Sequence, residues 1–387
     1  MSDVAAQAWA RWAEVLADLP RRLEASGFPD DDASRAIAVR HLARQAALAL
    51  RGELDHADPA HPRLHRYEQP WSQWGAPNPD NVYERCAIDA DATYVVRGRV
   101  DGVHEALFSL VEGDMHLGED TVFAEVALSD LATPDGRLEL TIGPGPARGN
   151  HLRTAPGTRL LLIRQYLYDW GNDPIASFGI ERLDTAGVPA GDPSPHEIAA
   201  ALDRAGRWVG QSIEYWAAYA AASRDLLEHN TVSPPNTPPG GAPSIAYGGC
   251  CWDLEPDQVL VIDHDRPDAR YWNWSVHHLH WFDSGDWDQR ATSTNGHQAH
   301  IDADGHVRVV VAPTDPGVAN WLDTQGRPVG LVVYRYVGAV TTPLPTATVV
   351  GGADLEAVLP PAHPRVSPEQ RRRQLADRSL AAQRRWG

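Results

Sequence analysis

Lysine is absent from this 387-residue chain, and all 34 of its basic residues are arginine. Without a lysine amine there is no Schiff base to pyridoxal phosphate or to a carbonyl substrate, and no P-loop lysine for a nucleotide's phosphates. Neither cofactor is expected. Cysteine is scarce: of the three, Cys250 and Cys251 are sequence neighbours that rarely pair with each other, so no disulfide framework is expected. No apolar run approaches the roughly 20 residues that span a bilayer. The opening Met-Ser-Asp-Val-Ala-Ala-Gln-Ala-Trp has neither a basic n-region nor an apolar h-region. A cytoplasmic protein with no membrane partner is expected. Positive charge is also short. A formal net charge of -18 repels phosphate backbones, which argues against nucleic acid as a partner. Missing too are Gly-x-Ser-x-Gly, Gly-x-Gly-x-x-Gly, His-Glu-x-x-His and Cys-x-x-Cys, which weakens serine hydrolase, Rossmann dehydrogenase, zincin and redox readings.

What is present describes an ordinary globular protein, 43% apolar and 22% charged, long enough for two or three structural units. Apolar spacing at Trp9, Trp12, Val15, Leu16 and Leu19 predicts a helix over 8–24, stopped by Gly27 and Pro29. Asp30-Asp31-Asp32 offers caps for a second helix over 33–52, with Ile37, Leu42, Ala46 and Leu50 as its stripe. Strand signals follow at 93–99, 104–111, 121–128, 137–142 and 159–168. Turn residues at Asp101-Gly102 and Asp135-Gly136 predict antiparallel hairpins. A long helix is expected from His196 to about Glu228, burying Ile198, Leu202, Trp208, Val209, Ile213 and Trp216. Further strands are expected at 258–264, 271–282, 297–301, 306–312 and 329–337. The C-terminal helix, 367–385, carries Arg371, Arg372, Arg373, Arg384 and Arg385. A basic helix on an acidic body packs either onto its own chain or onto a second copy in a homo-oligomer. The expected organisation is an N-terminal helical hairpin (1–55), a first antiparallel β unit (56–183), a linker and long helix (184–242), a second β unit (243–340) and an extended tail with the basic helix (341–387).

Aromatic, histidine and carboxylate content peaks between Tyr271 and Arg335. Strand alternation over 271–282 puts Trp272, Trp274, Val276, His278, His280 and Phe282 on one face. His278 and His280 then form a His-x-His pair of the kind that cupin-like barrels use for a metal. His297, His300 and Asp302 on the next strand are further potential ligands, a set suited to iron, zinc or manganese. The alternative is a core of hydrogen-bonded histidines among Trp rings. A second constellation is polar: Asp315-Pro-Gly317, Asn320-Trp321-Leu-Asp323 and Arg335. It either builds a turn held by an Asp–Arg pair or supplies a general acid, a general base and an anion-binding Arg.

Several motifs resemble a bacterial family called domain of unknown function 1214. They are Asn78-Pro-Asp80-Asn81-x-Tyr83, Tyr94-x-x-x-Gly98, Arg164 with Asp169-Trp170, Glu181-Arg182, Asn295-Gly-x-Gln298 before Asp304-Gly305, the run Asp315-Pro-Gly-Val-x-Asn320-Trp-Leu-Asp-Thr324, and Gly330 to Arg335. They span most of 71–337. The resemblance implies a mainly β architecture of two β-rich lobes with helical insertions, and it carries no activity.

The expected fold is therefore mainly β with helices, two antiparallel sandwich or jelly-roll-like units with a helical N-terminus and a long connecting helix. The leading functional expectation is a small-molecule pocket with aromatic walls that processes a mainly apolar ligand by acid–base chemistry. Asp315, Asp323, Arg335 and His280 would be catalytic. Trp274, Asn295, Gln298, Asn320, Trp321, Asp80, Arg164 and Asp169 would bind substrate. Two alternatives stay open: a non-catalytic carrier or sensor, and a metal-dependent oxygenase or hydrolase built on His278 and His280.

Overall fold

The structure, a computed structural model, describes residues 3–25, 32–146, 148–238, 241–278 and 280–385. The expected Gly27/Pro29 stop and the Asp30-Asp31 cap lie outside the described residues. The chain divides into two compact units built from interleaved stretches: Met1–Trp74, Val82–Gln165 and Pro174–Tyr219 form the first, and Gly75–Asn81, Tyr166–Asp173 and Ala220–Gly387 the second.

In the first unit, helices α1 (Asp3–Glu24) and α2 (Asp32–Asp55) pack on each other. Ala8, Trp12, Leu19 and Leu23 of α1 are buried, whereas Trp9, expected on that face, is 60% exposed. The unit's strands are β1 (His65–Glu68), β2 (Asn81–Ala87), β3 (Tyr94–Arg99), β4 (Glu105–Val111), β5 (Val122–Ala127), β6 (Arg137–Gly143), β7 (His151–Arg153), β8 (Leu160–Tyr166) and β9 (Phe178–Arg182). They form two sheets, β1-β2-β8-β4-β5 and β7-β6-β3-β9. One core lies among them, with Tyr94 and Val96 of β3, Phe108 and Leu110 of β4, Leu140 and Ile142 of β6, and Leu161 and Ile163 of β8. Asp101-Gly102 and Asp135-Gly136 each join strands of different sheets, so neither closes the expected hairpin. The long helix α3 (Pro195–Leu226) buries Leu202, Trp208, Val209, Ile213 and Trp216, as its periodicity predicts.

The second unit contains β10 (Ile245–Asp253), β11 (Gln258–Asp265), β12 (Ala269–His277), β13 (Ser293–Asn295), β14 (His306–Ala312), β15 (Trp321–Asp323), β16 (Val329–Ala339), β17 (Thr346–Gly351), the short helix α4 (Leu355–Val358) and the C-terminal α5 (Pro368–Gln383). Its sheets are β10-β16-β12-β13 and β15-β14-β11-β17. Strands β11 and β14 are apolar on both faces. Leu260, Ile262, Val307, Val309 and Val311 face a core shared with Trp272, Trp274 and Tyr334, while Val259, Val261 and Val310 pack with Trp321, Leu355 and Leu359. Burial on both faces explains why these strands read as continuous Val-rich runs.

These observations correct the expected fold class. Helix makes up 29% of the chain, and the four sheets are open rather than curled into a jelly roll. Nor is pairing purely antiparallel, because β6 with β7 and β14 with β15 run parallel. Two expected strands also change. The stretch 297–301 is not a strand; β13 precedes it. Strand β12 ends at His277 because the chain reverses there: Phe282 N–H donates to the His278 carbonyl at 3.1 Å, and Phe282 adopts a φ of 58°.

Candidate functional site

Alternation along β12 divides its side chains by chemistry. Trp272, Trp274 and Val276 enter the core. Tyr271, Asn273, Ser275 and His277 lie on the opposite face and meet the stretch 76–81 of the same unit. Tyr271 donates its hydroxyl to Asp80, whose other oxygen accepts the Trp170 indole N–H at 2.7 Å. Asn273 donates to Asn78 Oδ1 at 2.8 Å. Arg335 donates to Ser275 Oγ at 2.9 Å and to the Ala76 carbonyl at 2.7 Å. His277 lies 2.9 Å from Ser275 Oγ and 3.1 Å from Ser284 Oγ. Burial pushes the Asp80 carboxyl up and the His277 imidazole well down. Most of the face's polar atoms bond to one another, with Asn273 Oδ1 left buried and without a hydrogen bond among the described residues.

A different group has ligand geometry. His300 and Asp302, in the connection between β13 and β14, meet His363, which follows α4. Their donor atoms all lie within 4.8 Å of one another. His300 Nε2 is 3.3 Å and His363 Nδ1 3.0 Å from Asp302 Oδ1. A metal bound at about 2.0–2.2 Å in a tetrahedral shell sets its ligands roughly 3.3–3.6 Å apart; the His300–Asp302 distance matches this and the His363–Asp302 distance is shorter. The site has a closed and an open side: the side chains of His363 and Asp302 are 1% and 3% exposed, that of His300 36%.

Both ring nitrogens of His363 face oxygen, Nδ1 towards Asp302 and Nε2 towards the Ala319 carbonyl at 3.4 Å. A neutral imidazole has one N–H and cannot donate to both. The Asp302 contact is the shorter of the two, and either the ring's one proton or a metal cation on Nδ1 satisfies it. With a metal on Nδ1, the remaining N–H is left for a backbone carbonyl, the usual second contact of a metal-bound histidine. Arg308 grips Asp302 Oδ2 at 2.8 Å, but also pairs with Asp263 at 3.0 Å and Asp304 at 2.7 Å. Three carboxylates therefore face one guanidinium, with the His306 imidazole also on Asp263 at 2.6 Å. His300, Asp302 and His363 thus form a group able to hold a metal ion.

The other expected site residues are placed as follows. Asp315 is half-buried, caps Gly317 and pairs with Arg371 at 2.9 Å. Asp323 pairs with Arg290 at 3.0 Å and accepts from Gln325 N–H. Trp321 donates to the Ala312 carbonyl beneath the Arg371 guanidinium. Asn320 holds the backbone of His300. Trp274 is a core residue that donates to His264. Asn295 organises the turn to Gln298, whose side chain is exposed, and donates to the Tyr168 carbonyl. Asp169 accepts from Gly171 and Asn172 and lies 3.4 Å from His297. Arg164 belongs to the first unit, where it donates to Ser109. His278 is buried against Asp283 and Trp281, and His280 sits in the following turn, half-buried against Trp281. With β12 ending at His277, the two do not share a strand face. Of the histidines and carboxylates expected to bind metal, His300 and Asp302 do come together. Their partner His363, in Pro-Pro-Ala-His-Pro, carries no local ligand signal.

Sequence reading also missed a buried cluster in the first unit. Arg85 pairs with Asp114 at 2.9 Å, Trp208 donates to Asp114 at 2.7 Å, and His116 packs against Trp74 and Trp208. Glu68 accepts from Trp74 N–H, and burial raises its carboxyl well above the usual range.

No family model matches the chain, and neither does any curated protein. Among solved structures, a protein from Vibrio parahaemolyticus aligns at 13% identity and a TM-score of 0.43, over 79% of this chain and 99% of that one. An uncharacterised protein from Burkholderia cenocepacia is 33% identical, with a TM-score of 0.83 over 90% of this chain and 97% of that one. The chain belongs to the same family as this Burkholderia cenocepacia protein.

Proposed function

We propose that this protein is a metal-dependent oxygenase or hydrolase acting on a small molecule, with His300, Asp302 and His363 as ligands. The observation that carries the reading is the convergence of two imidazoles and one carboxylate, open to solvent on the His300 side only. Two histidines and a carboxylate with free positions suit iron(II) in oxygenases, and zinc takes a similar set in hydrolases. A bound metal would supply Lewis acidity at the open position. A cytoplasmic setting and membership of the domain of unknown function 1214 family are part of the same proposal, the latter on the motifs between residues 71 and 337.

Acid–base catalysis by Asp315, Asp323 and Arg335 is less well supported, because each is engaged in a turn, an ion pair or the β12 network. That mutual pairing favours a carrier as the second reading. Elemental mass spectrometry of untagged protein purified without chelator tests the proposal. Near one equivalent of iron or zinc, lost in His300→Ala/His363→Ala, is the expected result, with iron indicating the oxygenase and zinc the hydrolase. Failure to take up iron(II), zinc or manganese after reconstitution would leave the carrier.

A further inference from the structure

We infer that Asn320 and Arg371 are positioning residues for this metal site, so that metal affinity depends on docking of the C-terminal segment. The inference rests on the metal reading above.

The ligands come from two separate stretches of chain, and neither is held in place by a sheet. His300 precedes β14 in an irregular connection. There the Asn320 side chain takes the place of a strand partner: its Oδ1 accepts the His300 N–H at 2.7 Å, and its Nδ2 donates to the His300 carbonyl at 2.8 Å and the Arg308 carbonyl at 2.9 Å. Asn320 is buried in the left-handed region, φ 55°, so one residue clamps a ligand and the Arg that grips Asp302. His363 lies on a segment that lies along the loop 315–320. Ala319 N–H donates to the Pro364 carbonyl at 3.0 Å, and Val366 N–H to the Gly317 carbonyl at 2.8 Å. Arg371 locks that segment down. It pairs with Asp315, donates to the Val318 carbonyl at 2.7 Å and stacks over Trp321 at 5.1 Å. A metal joining His363 to His300 and Asp302 closes the same two stretches that Arg371 and Asn320 hold together. Each fastening therefore strengthens the other by linkage.

The test titrates cobalt(II) and zinc into full-length apo protein and its variants, recording affinity and the cobalt visible spectrum. Asn320→Gly keeps the backbone conformation accessible and removes only the clamp. Arg371→Met removes the lock, and Arg371→Lys restores only its charge. Both Asn320→Gly and Arg371→Met are expected to lose 10–100-fold in affinity, the usual effect of removing a ligand's support, and to shift the cobalt spectrum; Arg371→Lys recovers part of each. If Arg371→Met does not fold, Asn320→Gly and Arg371→Lys decide. Wild-type affinity and an unchanged spectrum in these variants would overturn the inference while leaving the metal site standing. Absence of metal binding by the wild type would instead remove the reading on which it rests.

Discussion

Tyr271 and Asp80, 191 residues apart in sequence, meet in the interior of the second unit with the tyrosine hydroxyl donating to the carboxylate. Both are buried, and burial raises both groups above their ordinary values. Among the described residues, Tyr271→Phe leaves Asp80 with Trp170 as its remaining side-chain donor. The expected loss is about 1–3 kcal/mol, read as a lower urea midpoint with unchanged m-value.

Acid should destabilise the protein in part through His264. This buried imidazole has Nδ1 against the Asp265 carbonyl and accepts the Trp274 indole N–H at Nε2, an arrangement that requires the neutral ring. Burial pushes it down to about 4 from an ordinary 6.5. The unfolded chain therefore binds this proton more readily, and the stability it confers is present above pH 6.5 and lost as pH falls towards 4. The full effect is about 3 kcal/mol. His264→Gln is expected to flatten that part of the stability–pH curve; an unchanged slope would count against it.

Glu68 acts in the opposite sense. Its carboxyl is raised by burial, so the folded state favours the neutral form while the unfolded chain ionises above about 4.5. Stability contributed by neutral Glu68 falls as pH rises from that point. Glu68→Gln keeps an oxygen for the Trp74 N–H, and it should make the protein more stable at pH 8 than wild type, with little difference at pH 4.

Metal should stabilise the fold because His363 and His300 come from separate stretches. At a free concentration about a thousand times the dissociation constant, the gain is about 4 kcal/mol. For a unit of this size that corresponds to a rise of roughly 10 °C in Tm. Excess chelator should reverse it, and His363→Ala should show no rise.

Gly330 on β16 has no room for a side chain, since an added Cβ would collide with the buried Trp252 indole. Gly330→Ala should cost about 1–3 kcal/mol by thermal unfolding, with the near-ultraviolet tryptophan signal altered.

Periodicity made the individual elements legible where one residue face was uniformly apolar. The α3 stripe and the Trp272, Trp274, Val276 face of β12 are examples. It was silent about partners: Asp101-Gly102 has the composition of a hairpin turn, yet sheet membership there is decided by burial of Val96 and Phe108 across the core. Short strands such as β7 and β15 carry too few residues for a pattern. At the site, His300 and Asp302 are legible as candidate ligands only through an expected strand at 297–301 that the structure does not form. His363 is not, because a ligand delivered by a distant irregular segment leaves no spacing to read. Asp315 and Asn320 were noticed as polar loop residues, but what they hold, a peptide unit and a guanidinium, depends on tertiary contact.

The interleaving of the two units has a consequence for synthesis. The second unit needs residues 75–81 and 166–173 as well as everything from 220, so no contiguous fragment consists of it alone. On a ribosome making 5–20 residues per second, Asp80 waits about 10–40 s for Tyr271 to emerge. During that interval the strands β2 to β9 of the first unit are made. No single contiguous exchange could move either unit whole without part of the other.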